Sequence, residues 1–66
     1  MNLFVIYFDT TDYPRVYVVR RWVYEEPHEL IGMGGTLEEA RGLIPAGLHN
    51  LGREAEDDGK IVEVWI

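Results

Sequence analysis

Cysteine and serine are both absent from this chain of 66 residues, basic side chains number only six, and no apolar run approaches a membrane span in length. Without cysteine there are no disulfides, no thiolate metal sites and no cysteine nucleophile, a composition that agrees with a reducing, intracellular setting. Without serine, the only aliphatic hydroxyls are those of Thr10, Thr11 and Thr36. Twelve acidic residues against six basic ones give a formal charge of −6, a sign that repels phosphate backbones, so nucleic acid is not the favoured partner. No stretch comes near the roughly 18 apolar residues of a transmembrane helix, and the first fifteen positions lack the basic start and clean apolar core of a secretion signal. These absences together give the expectation of a soluble, cytoplasmic protein with no membrane partner.

What is present is a composition that folds. Hydrophobic residues make up 47% of the chain, enough to argue against disorder. The length predicts a single domain over residues 1–66, and a domain of that size buries only about 60% of the surface its unfolded chain exposes. Such domains need support, and with disulfides excluded the remaining sources are a metal held by His and carboxylates or a protein partner. The acidic surplus favours solubility, and it also suits binding to a basic partner or imitation of nucleic acid.

Strand signals dominate. Leu3 to Phe8 mixes β-branched and aromatic residues without polar alternation, as in a strand covered on both faces. The cluster from Asp9 to Pro14 supplies turn formers and leads into the longest β signal, Val16 to Tyr24, on which Arg20 and Arg21 point to opposite faces. Glu25-Glu26-Pro27-His28 reads as a second turn, and Glu29 to Met33 as a short third strand. Thr36-Leu37-Glu38-Glu39 has the spacing of a capping box, with Leu37, Ala40, Leu43 and Ile44 on one helical face. Pro45, with Gly42 and Gly47 beside it, ends the regular helix near Ile44. A turn or loop is then expected to carry Leu48 and Leu51 inward, followed by an acidic loop from Arg53 to Gly59 and a last strand from Ile61 to Ile66. The class is therefore α+β, a small antiparallel-rich sheet of three to four strands in the order β-β-(β)-α-β, with one short helix on one face.

One short helix covers one face, yet the first strand presents Leu3, Val5 and Tyr7 to one side and Phe4, Ile6 and Phe8 to the other. The second and last strands repeat this pattern. Burying a large apolar side chain is worth about 1.5–3 kcal/mol, so an uncovered face is an association site. The expectation is a homodimer through that face or through an edge strand, with Phe4, Ile6, Trp22, Tyr24 and Trp65 as candidate interface residues. The competing expectation is that the segment around Leu48 and Leu51 folds under the sheet and covers the second face.

Chemical motifs are weak by comparison. Glu25, Glu26, His28 and Glu29 gather ligand types acceptable to zinc or manganese, but their spacing fits no recurrent site and a solvated turn explains them. His49 is isolated. Glu54, Glu56, Asp58 and Gly59 have the alternating oxygens of a calcium loop, which then fails because Trp65 stands where the bidentate Glu belongs. Arg20, Arg21 and Trp22, with Tyr17 and Tyr24, form a basic and aromatic strand that would suit stacked bases in a basic domain; here the arginines are expected to pair with surplus carboxylates. Gly32-x-Gly34-Gly35 before a helix lacks a phosphate-binding lysine. No residue is assigned as catalytic, cofactor-binding or metal-ligating, and no cofactor or enzymatic activity is expected.

The series Val18-Val19-Arg20-Arg21-Trp22, Thr36-Leu37-Glu38-Glu39-Ala40-Arg41, Leu43-Ile44-Pro45 with Gly47-Leu48, and Ile61-Val62-Glu63-Val64-Trp65 resembles a loose group of short bacterial proteins of unknown function. It covers most of the chain and implies no activity. Gly35-Thr36-Leu37-Glu38-Glu39-Ala40 after two or three strands is also similar to the small antitoxins of the HicB type, which neutralise a toxin through a compact α+β domain. Pro45 departs from those proteins, which continue their helix there. The functional expectation is a noncatalytic interaction module that self-associates. The alternative is an antitoxin-like or accessory inhibitor of a basic partner, and a metal- or nucleic-acid-binding protein using His28 or Arg20 and Arg21 stands behind both.

Overall fold

The computed structural model describes residues 2–53 and 59–66. Five strands and one helix follow in the order β1 (Asn2–Phe8), β2 (Tyr17–Val23), β3 (Glu26–Gly34), α1 (Leu37–Arg41), β4 (Asn50–Gly52) and β5 (Ile61–Trp65). The strands form one antiparallel sheet in the order β3-β2-β1-β5-β4. The expected three to four strands are thus five. The addition is β4, too short and too rich in Asn and Gly to carry a β signal of its own. It exists because β5 offers it a ladder, which His49 extends by exchanging both backbone hydrogen bonds with Ile66 at 2.8 and 3.0 Å.

Two other boundaries move for a shared reason. β2 stops at Val23, and Tyr24 and Glu25 form a two-residue hairpin turn with φ of 49° and 70°, so that Val23 pairs with Glu26. Left-handed backbone at both turn positions matches the right-handed twist of the flanking strands, and Asn-Gly usually supplies it. Here a tyrosine and a glutamate do, which hides the turn. Consequently Glu26-Pro27-His28 belongs to β3, a nine-residue strand rather than a turn and a short strand.

The helix starts as its capping box implies. The Thr36 hydroxyl oxygen accepts the Glu39 amide at 3.1 Å. The Glu39 carboxylate accepts a hydrogen bond from the Thr36 hydroxyl at 3.2 Å, where a full box would reach a backbone amide. After Arg41 the chain continues in tight turns, Leu43 N–H to Ala40 C=O and Ile44 N–H to Arg41 C=O, up to Pro45. This connection crosses the sheet from one edge, β3, to the other, β4. Its apolar residues Leu37, Ala40, Leu43 and Ile44 pack on Ile6 and Val19, both fully buried, with Phe4, Tyr17, Val62 and Trp65 around them. Leu51 does not turn inward; it is 60% exposed on β4.

α1 is locked to β5 by charge. Arg41 Nε donates to Glu63 Oε1 at 3.0 Å, and its Nη2 donates to Oε2. Trp65 Nε1 donates to Glu63 Oε1 at 3.1 Å. Glu63, paired with Ile6 in the centre of the sheet, is the buried acidic residue of the described chain. Arg41 holds its carboxyl below the usual range, against the opposing effect of burial and with help from the side chains of Trp65 and Asn50.

Gly34 makes the seating of α1 possible. A Cβ there would fall 2.7 Å from Glu39 Cβ and 3.1 Å from the Ala40 amide nitrogen, whereas at Gly32 it would meet only the tip of the Leu43 side chain, at 2.9 Å. Gly34→Ala must push helix backbone away and is expected to cost about 1–3 kcal/mol. Gly32→Ala requires one leucine to turn and should cost clearly less. Thermal melts of the two variants check this, and equal losses would mean that α1 is not seated against β3 as described.

Candidate functional site

Part of the helix-free face is covered, from a different quarter than the segment around Leu48 and Leu51. Register places Leu3, Val5 and Tyr7 of β1, Val18, Arg20 and Trp22 of β2, and Val64 of β5 together on this face. The eight residues between β1 and β2 fold over it. Asp9 fixes that loop: its N–H donates to Val16 C=O at 3.1 Å, its Oδ1 accepts the Arg15 amide at 2.9 Å, and its Oδ2 pairs with Lys60 Nζ at 3.5 Å. The Arg15 amide, followed by Lys60, holds the Asp9 carboxyl below its ordinary value. Both loop ends adopt φ near +60°, 58° at Asp9 and 63° at Arg15. Such backbone is uncommon outside glycine and needs this web of contacts to persist.

Between loop and sheet lies a cleft of about 240 Å³. Its floor is Tyr7, Val18, Arg20 and Trp22, its loop wall is Thr10, Asp12 and Tyr13, and Pro27 of β3 closes one side. Trp22 Nε1 donates to Tyr7 Oη at 2.9 Å, tying two rings across β1 and β2. Arg20 Nη1 donates to the His28 carbonyl at 2.7 Å, and Arg20 has no carboxylate partner among the described residues. Every other cation placed on the sheet or helix has one: Arg21 pairs with Glu29 at 3.0 Å, and Arg41 with Glu63. The expected neutralisation of Arg20 and Arg21 therefore holds for Arg21 alone. The Thr10 hydroxyl oxygen is buried with no hydrogen-bond partner.

The five candidate interface residues do not share one surface. Phe4 and Trp65 are half-buried around the helix-side core, and Ile6 is fully enclosed in it. Trp22 lies half-buried in the cleft on the opposite face, while Tyr24 is 78% exposed at the tip of the β2–β3 turn. The other exposed large apolar side chains are Ile31 and Met33 on β3, Leu51 on β4 and Phe8 at the end of the central β1. The cleft residues Thr10, Asp12 and Tyr13 read from sequence as turn formers. An eight-residue connection is longer than a hairpin needs, and that surplus is the signal that could have found them.

Among the described residues no three His, Asp or Glu side chains gather for a metal, and no helix is long and apolar enough to cross a membrane. His28 and Glu29 lie on β3, with Glu29 engaged by Arg21. The calcium-like residues Glu54, Glu56 and Asp58, and most of the acidic loop, lie outside the described residues. No family model, curated protein or solved structure matches this chain.

Proposed function

We propose that this chain is a noncatalytic interaction module that pairs with a second copy of itself along the open edge of β3. The observation that carries this reading is the strand itself: nine residues at the sheet edge, with Ile31 and Met33 projecting unburied. An edge strand offers unpaired amides and carbonyls, each net hydrogen bond being worth about 0.5–1.5 kcal/mol. On β3 these run from Glu29 to Gly34 past an irregularity at Ile31, since Pro27 has no amide and the His28 carbonyl is held by Arg20, and two exposed apolar side chains add burial. The sequence of the strand suits an antiparallel copy. Pairing centred on Ile31 sets Glu29 across from Met33 and His28 across from Gly34, so that Glu26 and Glu29 stay clear of their own counterparts. The action is binding alone.

Sedimentation velocity tests the reading. The chain is expected to dimerise at micromolar concentration, and the double variant Ile31→Lys, Met33→Lys to be monomeric with an unchanged circular dichroism spectrum. Leu51→Lys on the opposite edge should leave the dimer intact. A wild-type chain that stays monomeric, or a dimer lost with Leu51→Lys instead, would refute β3 pairing.

A further inference from the structure

We propose that the cleft beneath the β1–β2 loop is a binding site for a small zwitterion of the amino-acid class, a molecule with a carboxylate, an ammonium group and an apolar body. The site is separate from the β3 edge and does not rest on self-association.

Three features of the cleft converge. The first is an uncompensated pair of opposite charges. Arg20 and Asp12 both line the cleft, they are not joined by a salt bridge, and neither has an ionic partner among the described residues. Among the arginines of the sheet and helix, Arg20 alone lacks a carboxylate, Arg21 and Arg41 each having one; Arg15, on the loop, is also without a salt bridge among the described residues. The His28 carbonyl holds one guanidinium nitrogen, which orients the fork while leaving the remaining N–H groups to donate. A planar fork of donors matches a carboxylate in two-point fashion.

The second feature is the buried Thr10 hydroxyl without a partner. An unsatisfied buried polar group costs about 1–3 kcal/mol, and a ligand oxygen or ammonium would remove that cost. The third is the rest of the lining: Val18, Tyr7, Tyr13 and Trp22 supply apolar surface for a side chain and aromatic groups able to attract a cation. A volume of about 240 Å³ lies below the roughly 300–1,000 Å³ of sites that take drug-sized ligands. It admits a single amino acid and is too small for a nucleotide. Charge of both signs at the lining disfavours a simple fatty acid, which would meet Asp12 without compensation.

The loop that carries Thr10, Asp12 and Tyr13 is held in left-handed backbone at each end by Asp9 and Arg15, so the three side chains are presented by a fixed frame. Functional sites are where such backbone is characteristically retained.

Titration of the full chain with leucine and phenylalanine tests the proposal, followed by Trp22 fluorescence in a Trp65→Phe background and by amide chemical shifts. Saturable binding in the millimolar range or tighter is expected, with amide shifts confined to residues 7–13 and 18–22 and to the neighbours of Pro27, which has no amide proton itself. N-acetyl-leucine and leucine amide, each lacking one charge, should bind at least tenfold more weakly. Arg20→Gln should lose the preference for the free carboxylate, and Asp12→Asn the preference for the free amine. Shifts elsewhere, equal binding by the blocked compounds, or no saturable response would each overturn it. Because dimerisation is read separately by sedimentation, failure here leaves the β3 reading standing, and the reverse holds as well.

Discussion

Ile6→Ala is expected to leave much of the chain unfolded at 25 °C. Ile6 is fully buried, in the strand at the centre of the sheet, and only Val19 and Ala40 among its neighbours are as well enclosed. Truncating a buried isoleucine costs about 2–5 kcal/mol, part in lost transfer energy and part in the cavity left behind. A chain of this length has roughly 3–10 kcal/mol in total, at 0.05–0.15 kcal/mol per residue. The substitution therefore removes a large share of everything that holds the fold. Leu51→Ala, at a side chain 60% exposed and away from β3, deletes comparable atoms from the surface and should shift stability by no more than about 0.5 kcal/mol. Urea denaturation of both variants, at one protein concentration, makes the comparison. A cost below about 1 kcal/mol for Ile6→Ala would mean that the helix does not close this face.

The second large effect is electrostatic and depends on pH. Glu63 is buried, with its carboxylate held by Arg41 and Trp65, and its pKa is lowered in the folded state. The folded chain therefore binds fewer protons at this site than the unfolded chain, and its stability rises with pH across the window between the two values. The contribution is complete above the unfolded value of about 4.3 and is lost as pH falls through the depressed folded value. Glu63→Gln keeps the shape and removes the charge, at a cost on the order of 1–3 kcal/mol near neutrality. That gap should close progressively as the solution is acidified below the ordinary glutamate range. Denaturation at a series of pH values reads it, and a gap constant from neutrality to strong acid would show that the charge on Glu63 does not contribute. Arg41→Met should raise the Glu63 pKa, which a carboxyl-carbon NMR titration detects directly.

How much of this was legible depends on which force placed each element. β1, β2 and β5 are strands because β-branched and aromatic residues crowd them, and that signal is local. The start of α1 is equally local, since Thr36 and Glu39 answer one another across a single turn. β4 was hidden because its pairing comes from β5 and not from its own residues. The first half of β3 was hidden by Tyr24 and Glu25, which turn the chain where no glycine or asparagine announces a turn. Apolar residues on both faces of β1 were plain, but what covers them is tertiary. Val5 and Val18, only 3% exposed, lie on the helix-free face, where Tyr7, Arg20 and Trp22 flank them and the β1–β2 loop folds over part of the sheet. For the same reason the cleft was out of reach: Arg20 looked destined for a carboxylate, and only its position beneath the loop leaves it without one.

The short reach of β4 has a further consequence. If two chains join along β3, the outer borders of the combined sheet are two copies of Asn50–Gly52, three residues long and bent by Gly52 at φ +70°. The Gly52 amide is already folded back onto its neighbour's side chain, donating to Asn50 Oδ1 at 2.7 Å. Such a border is a poor template for another strand, because it is short, twisted and partly satisfied within itself. On that reading growth would stop at two chains, because the border opposite β3 gives a third chain little to pair with.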